Sequence, residues 1–245
     1  MIGHDEITNA AVSNYSTSTP WPENDIWHSY TSTIEKSIVE KWLSDYSDEN
    51  AIILNAGSGG TQYKAPGRII HMDIIEKYID HFDNHLVGSI EEIHLPDFSI
   101  DGIICVGSVL NYADAQRSIA EFCRVLKPEG FLIIEFERSD SAEFLWTSQH
   151  GKYIFSKEYV YNEQTHLLWM YSEKHIRQLL MNYSFRIRKC KRIHSISSLL
   201  YRFGLSEEAA APYSRLDGVF QLLSYPLAHN VVLLGTKEIL SKRNN

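Results

Sequence analysis

Blocks of apolar residues along the chain predict strands and helices in alternation. The first clear block is a helix from Ile26 to Tyr46, because large apolar side chains recur every three or four residues, and Asn24 or Asp25 can cap its start. The preceding residues, 1–22, are rich in Ser, Thr and Asn. They predict an arm whose order depends on a ligand.

Five short apolar blocks follow, typical of the buried strands of a parallel sheet. The predicted strands span residues 51–55, 68–74, 85–88, 100–106 and 131–136, and helices are predicted over 76–82 and 113–127. This alternation predicts right-handed crossovers and an α/β, Rossmann-like doubly wound sheet of about seven strands.

The rhythm changes after the fifth strand. Residues 138–171 are aromatic and polar, and they predict an inserted lid over the carboxyl edge of the sheet, with Asn162-Glu163-Gln164 as a hairpin turn. Their aromatic side chains either line an acceptor pocket or pack as a hydrophobic hairpin on the core. The remaining elements are a helix over 173–183, strands over 185–194 and 230–236, and a broken helical stretch over 195–229.

No repeat or linker divides the chain, so one domain over residues 1–245 is expected. Its expected parts are the arm and lid helix (1–46), the nucleoside-binding core (51–137), the inserted lid (138–171) and the C-terminal part of the sheet (172–245).

A glycine-rich turn, Gly57-Ser58-Gly59-Gly60, follows the first strand, and Asp73 ends the second. Glycines let a ligand lie against the backbone, and an acid at that position accepts hydrogen bonds from ribose hydroxyls. This pattern indicates a nucleoside site. A tight glycine turn without a ligand is the structural alternative.

The connection from Gly60 to the second strand, residues 61–67, discriminates between ligands. NAD and FAD place a pyrophosphate on the N-terminus of a helix there. Pro66 and Gly67 leave no room for a proper helix, whereas S-adenosylmethionine (SAM) carries a sulfonium and no phosphate. The short connection therefore favours SAM over NAD.

Five segments carry a wider similarity: residues 55–60 (NAGSGG), 71–73 (HMD), 88–91 (GSIE), 101–110 (DGIICVGSVL) and 124–130 (RVLKPEG). In this order and spacing, residues 55–137 resemble the class I SAM-dependent methyltransferases. The resemblance implies SAM as cofactor, S-adenosylhomocysteine as product, and a last strand antiparallel to the 185–194 strand. It implies cofactor binding by Asn55, Ala56, Gly57, Ser58, Gly59, Asp73, Ile74, Ser89, Ile90, Val106, Gly107 and Ser108.

Two positions depart from the family pattern. The family usually has an acid where Asn55 stands, which helps to hold the methionine amino group by its charge, and often Asp where Ser89 stands, beside the adenine. Asn55 and Ser89 still form hydrogen bonds, although without that charge they are expected to bind more weakly.

Methyl transfer needs proximity, alignment and, for an oxygen or carbon acceptor, often a general base. Many relatives carry a His near the position of Asn111-Tyr112, and this chain has none there. By expected nearness to the sheet edge, the candidate bases are His28, Glu135 and His150. The candidate acceptor contacts are Trp27, Tyr30, Tyr112 and Trp146, and Trp27 and Tyr30 serve equally well as packing aromatics.

The composition of the chain limits the classes of substrate and partner that are expected. The chain has 245 residues, of which 44% are hydrophobic, and a formal net charge of −8, which disfavours a polynucleotide substrate. Three scattered cysteines and the lack of a leader or of a long apolar run indicate a cytoplasmic protein without a transmembrane segment, while peripheral membrane contact stays open. The spacing of His81, Asp83 and His85 fits no metal motif, so no metal site is expected. The oligomeric state is not predicted.

These observations favour a methyltransferase that acts on oxygen or nitrogen of a small molecule. The C-terminal segment is similar to methyltransferases found with sugar- and lipid-modifying enzymes, which suggests a glycan or lipid-linked precursor as acceptor. The alternatives are a SAM-binding sensor or scaffold without activity, and, less favoured, a NAD-linked oxidoreductase.

Overall fold

A sheet of seven strands forms the centre of the computed structural model, which describes residues 4–17, 25–161, 164–217 and 226–239. Its strands, in chain order, are β1 (Ile52–Ala56), β2 (Arg68–Asp73), β3 (His85–Val87), β4 (Ile100–Cys105), β5 (Leu126–Glu137), β8 (Phe185–Ile193) and β9 (Asn230–Lys237). A separate hairpin contains β6 (Ile154–Tyr161) and β7 (Gln164–Tyr171).

The spatial order of the sheet is β3-β2-β1-β4-β5-β9-β8. Strands β1 to β5 pair in parallel, and β9 runs antiparallel between β5 and β8. The predicted Rossmann-like sheet with an antiparallel last strand is therefore confirmed. The strand order reverses between β1 and β4, which is where ligands bind in open α/β sheets.

Helices cover the sheet, and their bounds are α1 (His4–Thr17), α2 (Ile26–Tyr46), α3 (Ala115–Val125), α4 (Glu173–Asn182), α5 (Ser195–Arg202) and α6 (Glu207–Ala210). Asp114 caps α3 by accepting hydrogen bonds from the backbone of Gln116 and Arg117. The helix predicted over 113–127 ends at Val125, because Leu126 already begins β5. The helix predicted over 76–82 is only a 3₁₀ turn, Glu76–Tyr78.

The predicted N-terminal arm is wrong for the described residues 4–17, which form α1. Ile7 is fully buried, and Ala11 and Tyr15 follow it at four-residue spacing. The Asn14 side chain donates to the backbone oxygen of Thr165 at 2.8 Å, which ties α1 to β7. Tertiary contacts stabilise a helix whose polar sequence gives little signal of its own. The segment Pro20-Trp21-Pro22 and Asn24 lie outside the described residues.

The two halves of helix α2 contact different parts of the protein. Asp25 caps it, as one of the two predicted choices, by accepting from His28 N at 2.9 Å. The C-terminal half packs Val39 and Leu43 against the sheet. The N-terminal half lies along the carboxyl edge of the strands, where it lines two cavities.

The hairpin predicted within residues 138–171 is present, although residues 162–163 of its turn lie outside the described residues. Its Phe155 ring packs edge-on against Phe144 at 5.1 Å. The role of the hairpin and of α2 as lids stays a prediction. Within the part of the chain that the structure describes, no helix has the length and apolarity needed to cross a bilayer.

Candidate functional site

The glycine-rich turn leaves β1 and folds back over the end of β2. Gly57 N and Ser58 N both donate to the Met72 backbone oxygen, at 2.9 and 2.8 Å. Gly57 has a φ of +73°, and a Cβ there would lie 2.4 Å from a methyl carbon of Val109. The turn therefore needs glycine both for its backbone conformation and for the close approach of Val109.

Asp73 lies beside this turn, at the end of β2. Its carboxylate accepts hydrogen bonds from Gly59 N at 2.8 Å and from Ile75 N at 2.9 Å. Burial raises the pKa of Asp73 above its usual value, although backbone donors oppose the shift. The backbone thus fixes the orientation of an acid whose remaining lone pairs can accept ribose hydroxyls.

Asn55 lies behind the turn rather than on a cavity wall. Its side-chain amide donates to Ser58 Oγ at 3.1 Å and to the Thr61 backbone oxygen at 3.0 Å. Ser58 Oγ also contacts His71 Nδ1 at 2.9 Å. The side chain of Asn55 therefore holds the glycine turn in shape.

A first cavity opens between this turn and α1, with about 1140 Å³ of space, including the part open to solvent. Nine of the residues that the resemblance implies for cofactor binding line it: Gly57, Ser58, Gly59, Asp73, Ile74, Ser89, Ile90, Val106 and Gly107. The three others, Asn55, Ala56 and Ser108, do not line it.

Two walls of the first cavity come from residues of α1 and α2 that sequence reasoning did not single out. Helix α1 supplies Tyr15, whose hydroxyl lies 3.0 Å from that of Tyr112, while Tyr78 donates to the Tyr15 backbone oxygen at 2.5 Å. Helix α2 supplies Ser32 and Glu35. Glu35 left no clear signal in the sequence, because the apolar stripe predicted for α2 runs through Ile34 and Ile38, and only the structure shows Glu35 on the buried face.

A second cavity, of about 800 Å³ including the part open to solvent, adjoins the first, because Gly107 lines both. Its wall is rich in polar and charged side chains. They are His28, Thr31, Ser108, Glu137, Glu143, Lys157, Ser198, Glu207, His229 and Asn230.

His229 lies between two carboxylates in this wall. Its Nε2 is 3.4 Å from Glu137 Oε2, and its Nδ1 is 3.4 Å from Glu143 Oε2. Burial would lower the pKa of His229, but the hydrogen bonds and charges of Glu137 and Glu143 outweigh it and raise that pKa to about 10. Burial likewise opposes ionisation of Glu143, yet His229 and Lys157 lower its pKa to about 2. The cluster is therefore ionised at neutral pH.

The three candidate bases lie in different positions relative to the two cavities. His28 lines the second cavity, and its Nδ1 contacts Asp25 Oδ2 at 2.6 Å. Glu135 is completely buried and lines neither cavity. Its carboxyl group accepts from Ser108 N at 2.6 Å and from Asn230 Nδ2 at 2.7 Å. His150 is exposed and also lines neither cavity. Of the three, only His28 lines one of the two cavities.

Burial raises the pKa of Glu135 to about 7, and its two hydrogen-bond donors oppose the shift. A perturbed pKa often marks a catalytic group. The carboxyl group of Glu135 joins Ser108, after β4, to Asn230, the first residue of β9, so we expect the raised pKa to accompany a structural role.

The four candidate acceptor contacts also lie in different parts of the structure. Trp27 lines the second cavity and stacks on His194, with ring centroids 4.0 Å apart. Tyr112 lines the first cavity. Tyr30 packs beside Trp27, with the Arg215 guanidinium 5.1 Å from its ring centre, and lines neither cavity. Trp146 is 77% exposed and contacts Phe203, so its expected place at an acceptor site is not seen.

The described residues contain no group of three or more His, Cys, Asp or Glu side chains placed to hold a metal ion.

A family of known proteins matches part of this chain. Residues 54–134 match a family described as a methyltransferase domain. The matched segment runs from β1 to β5 and contains the glycine turn, Asp73 and Gly107. A search of curated protein sequences finds no significant match.

Solved structures share the fold at low sequence identity. The 1,6-didemethyltoxoflavin-N1-methyltransferase of Burkholderia thailandensis, solved with 1,6-didemethyltoxoflavin and S-adenosylhomocysteine, is 15% identical, with a TM-score of 0.62 over 98% of this chain and 92% of its own. A SAM-dependent methyltransferase of Methanosarcina mazei is 16% identical, with a TM-score of 0.54 over 81% and 97%. The [4+2]-cyclase SpnF is 14% identical, with a TM-score of 0.53 over 82% and 80%. At these identities the likeness shows the fold alone.

Proposed function

Because the chain carries a methyltransferase domain of the class I SAM-dependent family, we propose that it transfers a methyl group to oxygen or nitrogen of a small molecule. The observation that supports this proposal is the meeting of two cavities at Gly107. The first has the glycine turn and the ribose-type acid of a SAM site, and the second has the polar wall of an acceptor site.

The residues of the first cavity fit SAM. A Cβ at Gly57 would fill the space where Val109 closes on the turn, and Asp73 offers a carboxylate for two hydroxyls. Ser89 and Ile90 would contact the adenine, and Gly107 would lie at the methionine part. When bound, SAM supplies a methyl group whose carbon bonds to the acceptor, while the sulfur keeps the electrons of the broken carbon–sulfur bond.

The chain itself has to orient the acceptor and remove its proton. Asp25 holds Nδ1 of His28, which favours a proton on Nδ1 and leaves Nε2 as the basic nitrogen. A base whose orientation is set by a third group is the usual arrangement in general-base catalysis. His28 Nε2 would take the proton that the acceptor hydroxyl or amine loses as it is methylated.

The wall of the second cavity also bears on the class of acceptor. Glu137, Glu143, Lys157 and His229 form an ionised cluster, and such a wall favours an acceptor with several hydroxyl or amino groups over a hydrocarbon chain. A glycan, or the sugar part of a lipid-linked precursor, has these groups. The N1-methyltransferase among the structural neighbours is a reason to include nitrogen acceptors in the screen.

Calorimetric titration with S-adenosylhomocysteine tests the donor site. We expect micromolar binding by the native protein and at least a tenfold loss in Asp73→Ala, because the ribose hydroxyls lose a charged acceptor. Asp80→Ala, which removes an exposed acid shortly after Asp73, is the matched control and should bind normally. NADH should not bind. Absence of S-adenosylhomocysteine binding by the native protein would overturn the proposal.

Transfer of labelled methyl groups to a panel of hydroxyl- and amine-bearing compounds then tests the acceptor site. With the acceptor found, His28→Asn should lower kcat by about 10²- to 10⁴-fold. Its affinity for S-adenosylhomocysteine should stay within about twofold, since His28 does not line the first cavity. Donor binding without turnover on any compound would favour the sensor or scaffold function instead.

A further inference from the structure

Glu35 is a buried acid in the wall of the first cavity. It lies on the buried face of α2, one turn after Thr31 and one turn before Val39, and is 3% exposed. Its Oε1 atom is buried and has no hydrogen-bond partner among the described residues.

An unpartnered carboxyl group in such a place is costly for the folded protein, because burial removes water from a group that needs hydrogen-bond donors. Burial, followed by the charges of Glu135 and Glu137, raises the pKa of Glu35 well above its usual value. An apolar side chain would fill this position on the helix without that cost. A hydrogen-bond donor or a cation supplied by a ligand would remove the cost of burying the carboxyl group.

The two other acids of the same wall already have partners. Asp73 accepts from Gly59 N and Ile75 N. Glu91 accepts from Asp114 N at 3.0 Å. Of the acids that line the first cavity within the described residues, Glu35 is the one with an orphaned oxygen.

The position of Glu35 indicates which part of the donor it meets. Asp73 and Ser89 follow β2 and β3, so they mark the ribose and adenine end of the cavity. Glu35 lies on α2, whose apolar residues pack against β1, β4 and β5, and the negative charges of Glu135 and Glu137 of β5 act on its carboxyl group. The methionine part of SAM would extend towards β4 and β5.

The methionine part carries an α-ammonium group, and Asn55 provides no charge for it. The amide of Asn55 is occupied by Ser58 and Thr61 and lies behind the turn. We propose that Glu35 binds the α-ammonium group of the donor, so that a helix α2 carboxylate supplies the charge that the end of β1 lacks. This inference rests on the proposed function, because it presupposes SAM in the first cavity.

Calorimetry with a pair of ligands tests the assignment: S-adenosylhomocysteine and its desamino analogue, which has hydrogen in place of the ammonium group. The native protein should prefer S-adenosylhomocysteine by about tenfold or more, the size expected for a charge-assisted hydrogen bond. Glu35→Gln should lose most of this preference while its affinity for the desamino analogue stays within about twofold. If Glu35 only stabilised the fold, Glu35→Gln would lower the affinity for both ligands equally.

Glu40→Gln makes the same chemical change on the same helix, at a residue that accepts from Lys64 N outside both cavities, and it should keep the native preference. Thermal unfolding without ligand gives a second readout. Glu35→Gln should melt at the same temperature as the native protein or higher, because the variant removes a buried acid.

Three outcomes would overturn the inference. They are no preference in the native protein, a full preference in Glu35→Gln, and an equal loss for both ligands. Failure of the native protein to bind either ligand would overturn the proposed function as well, whereas binding of both without a preference would overturn only the role of Glu35.

Discussion

His229 Nε2 lies 3.4 Å from Glu137 Oε2, so an ion pair joins the residue before β9 to the last residue of β5. The two chain segments that it joins are neighbours in the sheet, where Glu137 pairs with Asn230. The pair therefore stabilises the antiparallel edge of the sheet next to the second cavity.

This pair predicts a pH dependence of stability. The pKa of His229 is raised from 6.5 to about 10 in the folded protein, so its contribution is complete below pH 6.5 and is lost as the pH rises through about 10. We expect the urea midpoint of the native protein to fall more steeply between about pH 7 and pH 10 than that of His229→Gln. His150→Gln, at an exposed histidine, should keep the native slope. Equal slopes in all three proteins would contradict the ion pair.

The hydrogen bonds that Glu135 accepts predict a structural role for this residue and not a catalytic one. Glu135→Ala leaves Ser108 N and Asn230 Nδ2 without their acceptor, and we expect it to lower the free energy of unfolding by about 3 kcal/mol. The Oδ1 atom of Asn230 has no hydrogen-bond partner among the described residues. Glu135→Gln should cost under about 1 kcal/mol, because its amide oxygen can accept from Ser108 N and its NH₂ can donate to a flipped Asn230 amide. Urea unfolding measures both.

The same Glu135→Gln variant should retain turnover, since Glu135 lines neither cavity. A loss of kcat of a hundredfold or more with unchanged stability would instead show Glu135 to be the base.

Gly57 and Gly151 form a matched pair for the donor site. Their φ angles are +73° and +74°, but a Cβ at Gly57 would meet Val109 at 2.4 Å, while a Cβ at Gly151 would have no atom of the described residues within 4 Å. Gly151→Ala should cost about 1–2 kcal/mol of stability through backbone strain alone. Gly57→Ala should cost more and should abolish detectable binding of S-adenosylhomocysteine.

Adding Val109→Ala to Gly57→Ala makes room for the new methyl group. The double variant should recover part of the lost stability relative to Gly57→Ala. If the two glycine variants are equally stable, the contact with Val109 is not what requires glycine at position 57.

The parallel core was predictable because its signals are local. Ile53, Leu54, Ile103 and Ile104 lie in short apolar runs, and they are fully buried in adjacent strands. The glycine turn and Asp73 follow such strands directly, so sequence order alone placed them at one edge. The short connection over residues 61–67 is also confirmed, since it contains no helix.

Helix α1 was not predictable in the same way. Its buried face consists of Ile7, Ala11 and Tyr15 among polar residues, and its stability comes from contacts with β7 and Tyr112. In α2 the predicted apolar stripe correctly included Trp27 and Trp42, but it did not include Thr31 and Glu35, which the structure also places on the buried face.

Local sequence was sufficient to predict the Rossmann-like sheet, the glycine turn and the acid at the end of β2, because each is encoded by neighbouring residues. Which charged groups meet depends instead on the tertiary structure. His229 joins Glu137 and Glu143 across about ninety positions of chain, and Glu35 reaches the first cavity from a helix that precedes every strand. Such groupings depend on how helices and strands pack in space, since packing energy acts between residues that sequence spacing does not relate.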